Sequence, residues 1–503
     1  MATGLREHVV AYFEEHHKLV EADALQLLLD THQPLVLSQE LIDRAGPSGL
    51  FVTLEMVERA LAERRSGALP AVAIPALTSE PRSPDAPEPP RPFRVILEGY
   101  SESAVAGPPL VAYQALFHSR FHALHKMLRG RPQLPNLRPI RELRATEGTS
   151  SVIGMVREVR QTPQRRHLIV TLDDEGASLE VLVPRDSAGA RLPFLSDEVV
   201  GVRLEFAKEP GKIPRATGVE RPDVPATRPV GRSAEPRRAI FLSDLHIGSK
   251  SFLAESWAHL AEFLRGKGAY SDLAASIDSV VIAGDLVDGI GIYPRQEKDL
   301  AISDVVEQYA ELGRRLGELP SRLTVVAVPG NHDAVCPAEP QPALPPSLSR
   351  GLPANLRLLS NPSTFALDGV VVEAYHGRSF DDLIPALPGA SYAHPTEVMK
   401  RMLQMRHLAP IYGDRTPLAP LARDGLVIES APDILVTGHA HTYGVDRYRG
   451  VLLLNASTWQ AETEYQRMRN ISPVPARAAV VDLSNLGLVT LDFSAGDPVV
   501  TDA

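Results

Sequence analysis

The sequence predicts a multidomain α+β chain: an N-terminal helical module, a small β-barrel of OB type, and a larger region of buried strands and helices. Three observations predict it. Apolar residues recur at three- and four-residue spacing near the N-terminus. Several short β-patterned runs crowd between Ser151 and Phe206. Beyond Arg238 come six apolar runs, five of which end abruptly in carboxylate, imidazole or amide side chains.

Residues 1–66 form the helical module. Leu5, Val9, Tyr12 and Phe13 share one helical face, as do Leu54, Val57 and Leu61. Thr53, with Glu55 in the first turn, marks a helix start. A protein-docking module and an accessory bundle fit this pattern equally. Residues 67–92 form a linker, because Pro70, Pro75, Pro81, Pro84, Pro87, Pro89, Pro90 and Pro92 have few large apolar residues between the later ones. Such a segment builds no core and stays extended.

Residues 93–237 are expected to hold a helical segment and the OB-type domain. Order resumes at Phe93-Arg-Val-Ile-Leu97. Tyr113, Leu116, Phe117, Phe121, Leu124 and Leu128 then trace an amphipathic helix whose other positions include His118, Arg120, His122, His125, Lys126 and Arg129. That second face is read as solvated rather than as DNA-contacting. Val152–Val156, His167–Leu172, Leu179–Val183 and Val200–Phe206 are short strands, with a hairpin turn at Asp173–Gly176. Arg157, Arg160, Arg165 and Arg166 cluster at the first hairpin, but the strands carry almost no aromatics. Single-strand-binding barrels use both features, so a structural or protein-binding barrel is favoured. Glu209–Pro236, rich in Pro, Gly and Arg, is expected to be a second loop.

Composition narrows the function. A net charge of −10 argues against coating nucleic acid by bulk electrostatics, leaving a local basic groove or metal-mediated contact with phosphate. The single cysteine, Cys336, excludes an intrachain disulfide and fits a reducing interior. The N-terminal residues do not form a signal peptide, and no apolar run approaches the ~20 residues needed to span a bilayer. A soluble, cytoplasmic protein without a membrane partner is expected.

Residues 238–503 carry the chemistry. The first run ends in Asp244 and His246, and the second in Gly284-Asp285-Leu-Val-Asp288-Gly289. The third ends in Pro329-Gly-Asn331-His332-Asp333, the fourth in Tyr375-His376-Gly377, and the fifth in Gly438-His439-Ala-His441. Carboxylate with imidazole suits a divalent transition ion. An Asp-x-His pair alone is a weak signal. Five such motifs, each behind a strand, make chance an improbable source, because open α/β sheets bind ligands where strand ends converge.

This set resembles the calcineurin-like metallophosphoesterase superfamily, from about Arg238 to the end of the chain. The resemblance implies a β-sandwich flanked by helices, with two divalent metals between the strand ends. Manganese is the expected pair, with magnesium, zinc and iron as alternatives. Asp244, His246 and His441 would hold one metal and Asp285 would bridge, while Asn331, His376 and His439 would complete the second. His332 would stand beside the scissile phosphate without ligating, and Asp333 would orient it. Asp288 is left between a role in the site and a cap of the following loop.

Two further segments, Tyr392–Gly413 and Leu454–Gln466, resemble the small subunit of the archaeal family D DNA polymerases, as does the order of the parts. This narrower resemblance implies a 3′–5′ exonuclease that acts on single-stranded or mismatched DNA ends. It also implies assembly with a large polymerase subunit, since no polymerase site is evident in this chain. No sliding-clamp peptide is evident, which leaves the sliding clamp open as a partner. The eukaryotic replicative B-subunits share the organisation but lack the ligands, all of which are present here. A freestanding phosphodiesterase is disfavoured by the added barrel, and a non-catalytic assembly subunit by the intact ligands.

Overall fold

A computed structural model describes residues 93–501 except 102–107, 144–147, 165, 207–211 and 469–470. Of the first 92 residues it describes 13, 19–29, 37–38, 41, 51–54, 56–57 and 60. The chain divides into two compact units, Met1–Pro89 and Pro90–Ala503. In the first, a helix spans Ala22–Leu29, and Leu19–Val20 pairs in parallel with Phe51–Val52. Phe13, Ala24, Leu28, Val52 and Val57 are buried together. The predicted linker lies outside the described residues.

The second unit opens with β1 (Phe93–Glu98) and α1 (Pro109–Leu128). Proline suits the first turn of α1, where its missing N–H costs nothing, and Lys126 complements the carbonyl end. Leu116, Phe121, Leu124 and Leu128 form the buried face.

Five strands close a barrel: β2 (Thr149–Gln161), β3 (Leu168–Asp173), β4 (Ser178–Val183), β5 (Val199–Glu205) and β6 (Arg215–Glu220), in the order β2-β3-β4-β6-β5. Alternate residues such as Val170, Leu172, Val181, Val183, Val200, Val202 and Leu204 fill its interior. β2 pairs with β5 through its first half and with β3 through its second, with a register shift between Val156 and Glu158. Such bulges bend a strand enough to serve two neighbours.

β6 corrects the expectation of an unbroken loop over Glu209–Pro236. Of its residues only Ala216 is fully buried, so no alternating pattern announces it. Its pairing with β5 and β4 makes it a strand.

The remaining elements form two facing sheets. In chain order they are β7 (Arg238–Leu242), α2 (Ala254–Leu264), β8 (Ile277–Ala283), α3 (Val305–Leu316), β9 (Thr324–Val328), β10 (Leu356–Leu358), β11 (Ser363–Leu367) and β12 (Val370–Ala374). They continue with α4 (Phe380–Ala386), α5 (Pro395–Met405), β13 (Ile434–Thr437), β14 (Tyr443–Tyr448), β15 (Val451–Ala456), β16 (Arg477–Asp482), β17 (Gly487–Asp492) and β18 (Val499–Thr501). One sheet runs β10-β9-β8-β7-β16-β17-β18, and the other β14-β15-β13-β12-β11-β1. β1, grouped by sequence with the barrel segment, is thus hydrogen-bonded to β11 as an edge strand of the sandwich.

Both faces of each sheet are covered. Phe241, Val281 and Val326 meet Phe365, Val372 and Leu452 between the sheets. Ile240, Leu242 and Ile282 pack outward against Trp257 and Leu260 of α2 and Leu312 of α3. Leu435 and Leu453 pack against Leu383 of α4, Met402 of α5 and Leu116 of α1. Double coverage is why these strands read as continuous apolar runs in the sequence.

Charged contacts lock the barrel and α1 to the sandwich. Glu198 of the barrel meets Arg401 at 2.9 Å and Arg221 at 3.1 Å. Arg120, placed by sequence on the solvated face of α1, is fully buried and donates from Nε to Asp424 Oδ2 at 2.7 Å. No helix among the described residues is long and apolar enough to cross a membrane.

Candidate metal centre

The loops leaving β7, β8, β9, β12 and β13 carry the predicted residues to one place. β7, β8 and β9 run parallel, as do β12 and β13, so their carboxyl ends lie on a common edge. The turns are tight. Asp244, His246, Asp285, His439 and His441 all adopt left-handed backbone, with φ of 52°, 50°, 50°, 65° and 56°. Each costs about 1–2 kcal/mol relative to right-handed backbone. Cross-loop hydrogen bonds hold them there: Asp244 N–H donates to Gly284 C=O at 3.0 Å and His246 N–H to Asp285 C=O at 3.1 Å. Strain of this kind gathers at functional sites. Glycine is required at 438, where a Cβ would collide with the Ser243 hydroxyl and the Asp244 carboxylate.

The side chains form two overlapping groups. In the first, His246 Nε2 and His441 Nε2 are 3.0 Å apart, and Asp244 Oδ1 lies 3.3 Å from His441 Nε2 and 3.8 Å from His246 Nε2. In the second, His376 Nε2 lies 3.1 Å from Asn331 Oδ1. Asp285 Oδ2 stands between the groups, 3.7 Å from His246 Nε2 and 3.3 Å from His376 Nε2.

The far nitrogen of each ring is held from behind. Asp288 Oδ1 lies 3.0 Å from His246 Nδ1, the amide of Gln466 lies 2.6 Å from His441 Nδ1, and Ala283 C=O lies 2.9 Å from His376 Nδ1. Anchoring one imidazole nitrogen and aiming the other is how proteins orient metal-binding histidines. Asp288 is itself fixed by Gln296 and Gln460, each donating at 3.0 Å. Its carboxylate therefore supports His246.

Electrostatics agree with an ion-sized centre of positive charge. Burial disfavours charge on every member. The carboxylates of Asp244, Asp288 and Asp285 nevertheless push His246 up to about 10, and Asp285 pushes His376 up to about 9. Burial would raise Asp244 and Asp285 too, but the surrounding imidazoles hold both below the usual carboxylate range. Burial instead lowers His441, so the acids favour positive charge on His246 and His376 and not on every ring. Nitrogen and oxygen donors with excess acid fit divalent transition ions.

Two expected roles change. Asp333 does not orient His332. Its carboxylate accepts from Gly330 N–H at 2.8 Å, Leu286 N–H at 3.1 Å and the Tyr309 hydroxyl at 2.9 Å. Burial and the nearby Asp285 push it up to about 6. Adjacent residues in this turn point apart, so Asp333 braces the loop. The His332 ring is instead held at Nδ1 by the Asp288 carbonyl, at 2.8 Å, and lies edge-on to His246 with centroids 4.7 Å apart. Burial, more than any neighbour, lowers its pKa. His439 reaches the cleft wall, but its Nε2 faces Asp381 Oδ1 at 3.3 Å. Burial works to raise Asp381, yet the His439 imidazole and the Tyr392 hydroxyl hold it below the usual carboxylate range.

Sequence reasoning did not single out Asp381, Gln296, Gln460 or Gln466 as site residues. The last two lie in Leu454–Gln466, one of the two segments that carried the narrower resemblance, so a signal was present. Above the donors opens a cleft of about 760 Å³, whose walls include Tyr293, Tyr392, Arg378 and Arg415.

The family profile of the B-subunits of DNA polymerases alpha and epsilon matches residues 239–445. The DNA polymerase II small subunit of Archaeoglobus fulgidus is 42% identical over 370 residues, covering 72% of this chain and 73% of that protein. The protein of the same name from Methanothermobacter thermautotrophicus is 36% identical over 499 residues, covering 97% of this chain and 99% of that one. The one from Halobacterium salinarum is 38% identical over 389 residues, covering 76% and 75%.

Proposed function

The chain belongs to the DNA polymerase II small-subunit family, and from that premise we propose that it is a metal-dependent 3′–5′ exonuclease within an archaeal replicative DNA polymerase. In this reading it removes mismatched nucleotides from single-stranded or frayed ends and assembles with a large subunit that polymerises. The barrel is read as OB type, and residues 1–66 as a module tethered by residues 67–92. The observation that carries the proposal is the cluster of nitrogen and oxygen donors on the floor of an open cleft, with His332 beside it.

Asp244, His246 and His441 would hold one ion and Asn331 and His376 the other, with Asp285 shared. His439 is the remaining candidate for the second, its ring now paired with Asp381. When bound, two divalent ions, manganese first among the candidates, supply positive charge against the phosphate oxygens and activate water as the nucleophile. The protein's own part falls to His332. Its backbone N–H donates to Asp285 Oδ1 at 2.9 Å, and its Nδ1 is committed to the Asp288 carbonyl. Nε2 is the remaining ring atom, and in the doubly protonated ring it would give its proton to the departing 3′ oxygen. Selectivity comes from the substrate: a mismatched end frays into the cleft at less unpairing cost than a paired one.

The test is primer extension and excision by the chain assembled with its large subunit, on matched and mismatched 3′ ends. The complex carrying His332→Ala should assemble and extend primers but fail to excise the mismatch. Undiminished excision by that complex would place the nuclease elsewhere.

A further inference from the structure

Away from the cleft, α1 and the β3–β4 hairpin meet at three exposed residues. His118 and His122 stand one turn apart on the solvent side of α1, and Glu175 is in the hairpin turn. Glu175 Oε1 lies 2.9 Å from His118 Nδ1 and 2.8 Å from His122 Nε2, so one carboxylate oxygen faces both rings. The potential ligand atoms of all three residues lie within 4.8 Å of one another.

Both supports are rigid. α1 is anchored by Leu116 and Leu124, which are buried. The turn is held by Asp174, whose Oδ1 accepts from Gly176 N–H at 2.8 Å and Ala177 N–H at 2.9 Å, and whose Oδ2 accepts from Ile140 N–H at 2.6 Å. Histidines four residues apart on a helix present their nitrogens to one ion, and a carboxylate completes a three-residue set for zinc. Ligands about 2.0–2.1 Å from a tetrahedral ion stand roughly 3.3 Å apart. The observed nitrogen–oxygen separations of 2.9 and 2.8 Å are somewhat shorter than that.

We propose that His118, His122 and Glu175 form an additional site for a divalent transition ion of the zinc class, which staples α1 to the β3–β4 hairpin. Its fourth position faces solvent and takes water. The site shares no residue with the centre in the cleft and does not depend on the function proposed for that centre.

The experiment is equilibrium dialysis of the full chain against micromolar zinc, followed by elemental analysis and thermal unfolding. The native chain is compared with His118→Ala/His122→Ala, with Glu175→Gln and with Asp285→Ala, which is directed at the other centre. The double variant should hold one zinc fewer per chain, Glu175→Gln should bind that zinc more weakly, and nuclease activity should be unchanged in both. Zinc should raise the unfolding midpoint of Asp285→Ala and lose that part of its effect in the double variant, since binding only the folded state stabilises it. Equal zinc content in the native chain and the double variant would overturn the site. So would a zinc-dependent rise that disappears in Asp285→Ala and persists undiminished in the double variant.

Discussion

Two regions of the sandwich bury histidine with aspartate, and they are built on opposite principles. Where α1 meets the sandwich, Asp424 Oδ2 receives Arg120 Nε at 2.7 Å and lies 3.0 Å from His407 Nε2, while Ala409 N–H donates to His407 Nδ1 at 3.1 Å. Burial and the Arg120 guanidinium push His407 down to about 4, so its ring is neutral. One carboxylate faces one permanent cation, and both ring nitrogens of His407 have partners. In the cleft, Asp244, Asp285 and Asp288 face His246, His376 and His441, and the largest charges acting on the three carboxylates are imidazoles. There His246 and His376 are driven toward protonation while burial keeps His441 from it, and the ring nitrogens of His246 and His441 confront each other. A buried histidine is therefore uninformative by itself. The balance of acid against fixed positive charge separates a structural cluster from a place made for an ion.

The sharpest test of the contrast is Asp285→Ala. It removes the carboxylate between the two groups and should abolish ion binding in the cleft and the nuclease activity proposed for it, read by elemental analysis and excision of a labelled 3′ nucleotide. His332→Ala should keep its ions and lose about 10²–10⁴-fold in rate, the usual contribution of a proton-transfer group. If it loses metal as completely as Asp285→Ala does, His332 is a ligand and its assigned role is wrong.

Arg120→Ala should act on the other region. Leaving Asp424 buried without its cation costs about 3–5 kcal/mol, measured as a lowered denaturant midpoint. Ion content and rate per folded molecule should be unchanged. Loss of activity at full folding would tie the two regions together and break the comparison.

The smallest effect is on pH. His246 and His376 hold protons up to about pH 10 and 9, so ion uptake should release protons and affinity should rise with pH through that range. His407 titrates the other way. Its folded pKa lies below the ordinary histidine value of about 6.5. The unfolded chain thus binds the extra proton between about pH 4 and 6.5, and stability falls as pH drops through that window. Urea titrations across pH 4–7, compared between the native chain and His407→Gln, measure that slope. Equal slopes would remove His407 as its source.

Much of the sandwich and the set of candidate ligands was legible in the sequence because both are written locally. A strand covered on two faces must be an apolar run, and a ligand at its end must be one of few residue types next to a turn. Asp244, His246, Asp285, Asn331, His332, His376 and His441 needed no tertiary information to be picked out as candidates. Other features depend on residues far apart in the chain. β6 is a strand because β5 and β4 pair with it, and Arg120 is buried because Asp424, 304 residues away, waits for it. Asp333 turns from the His332 ring to the loop N–H groups, and His439 to Asp381, by the way five loops pack against one another. Local chemistry set which residues were available to bind an ion, and tertiary packing decided which atoms face it, since only the fold brings strand ends, supporting amides and opposing charges within hydrogen-bond distance.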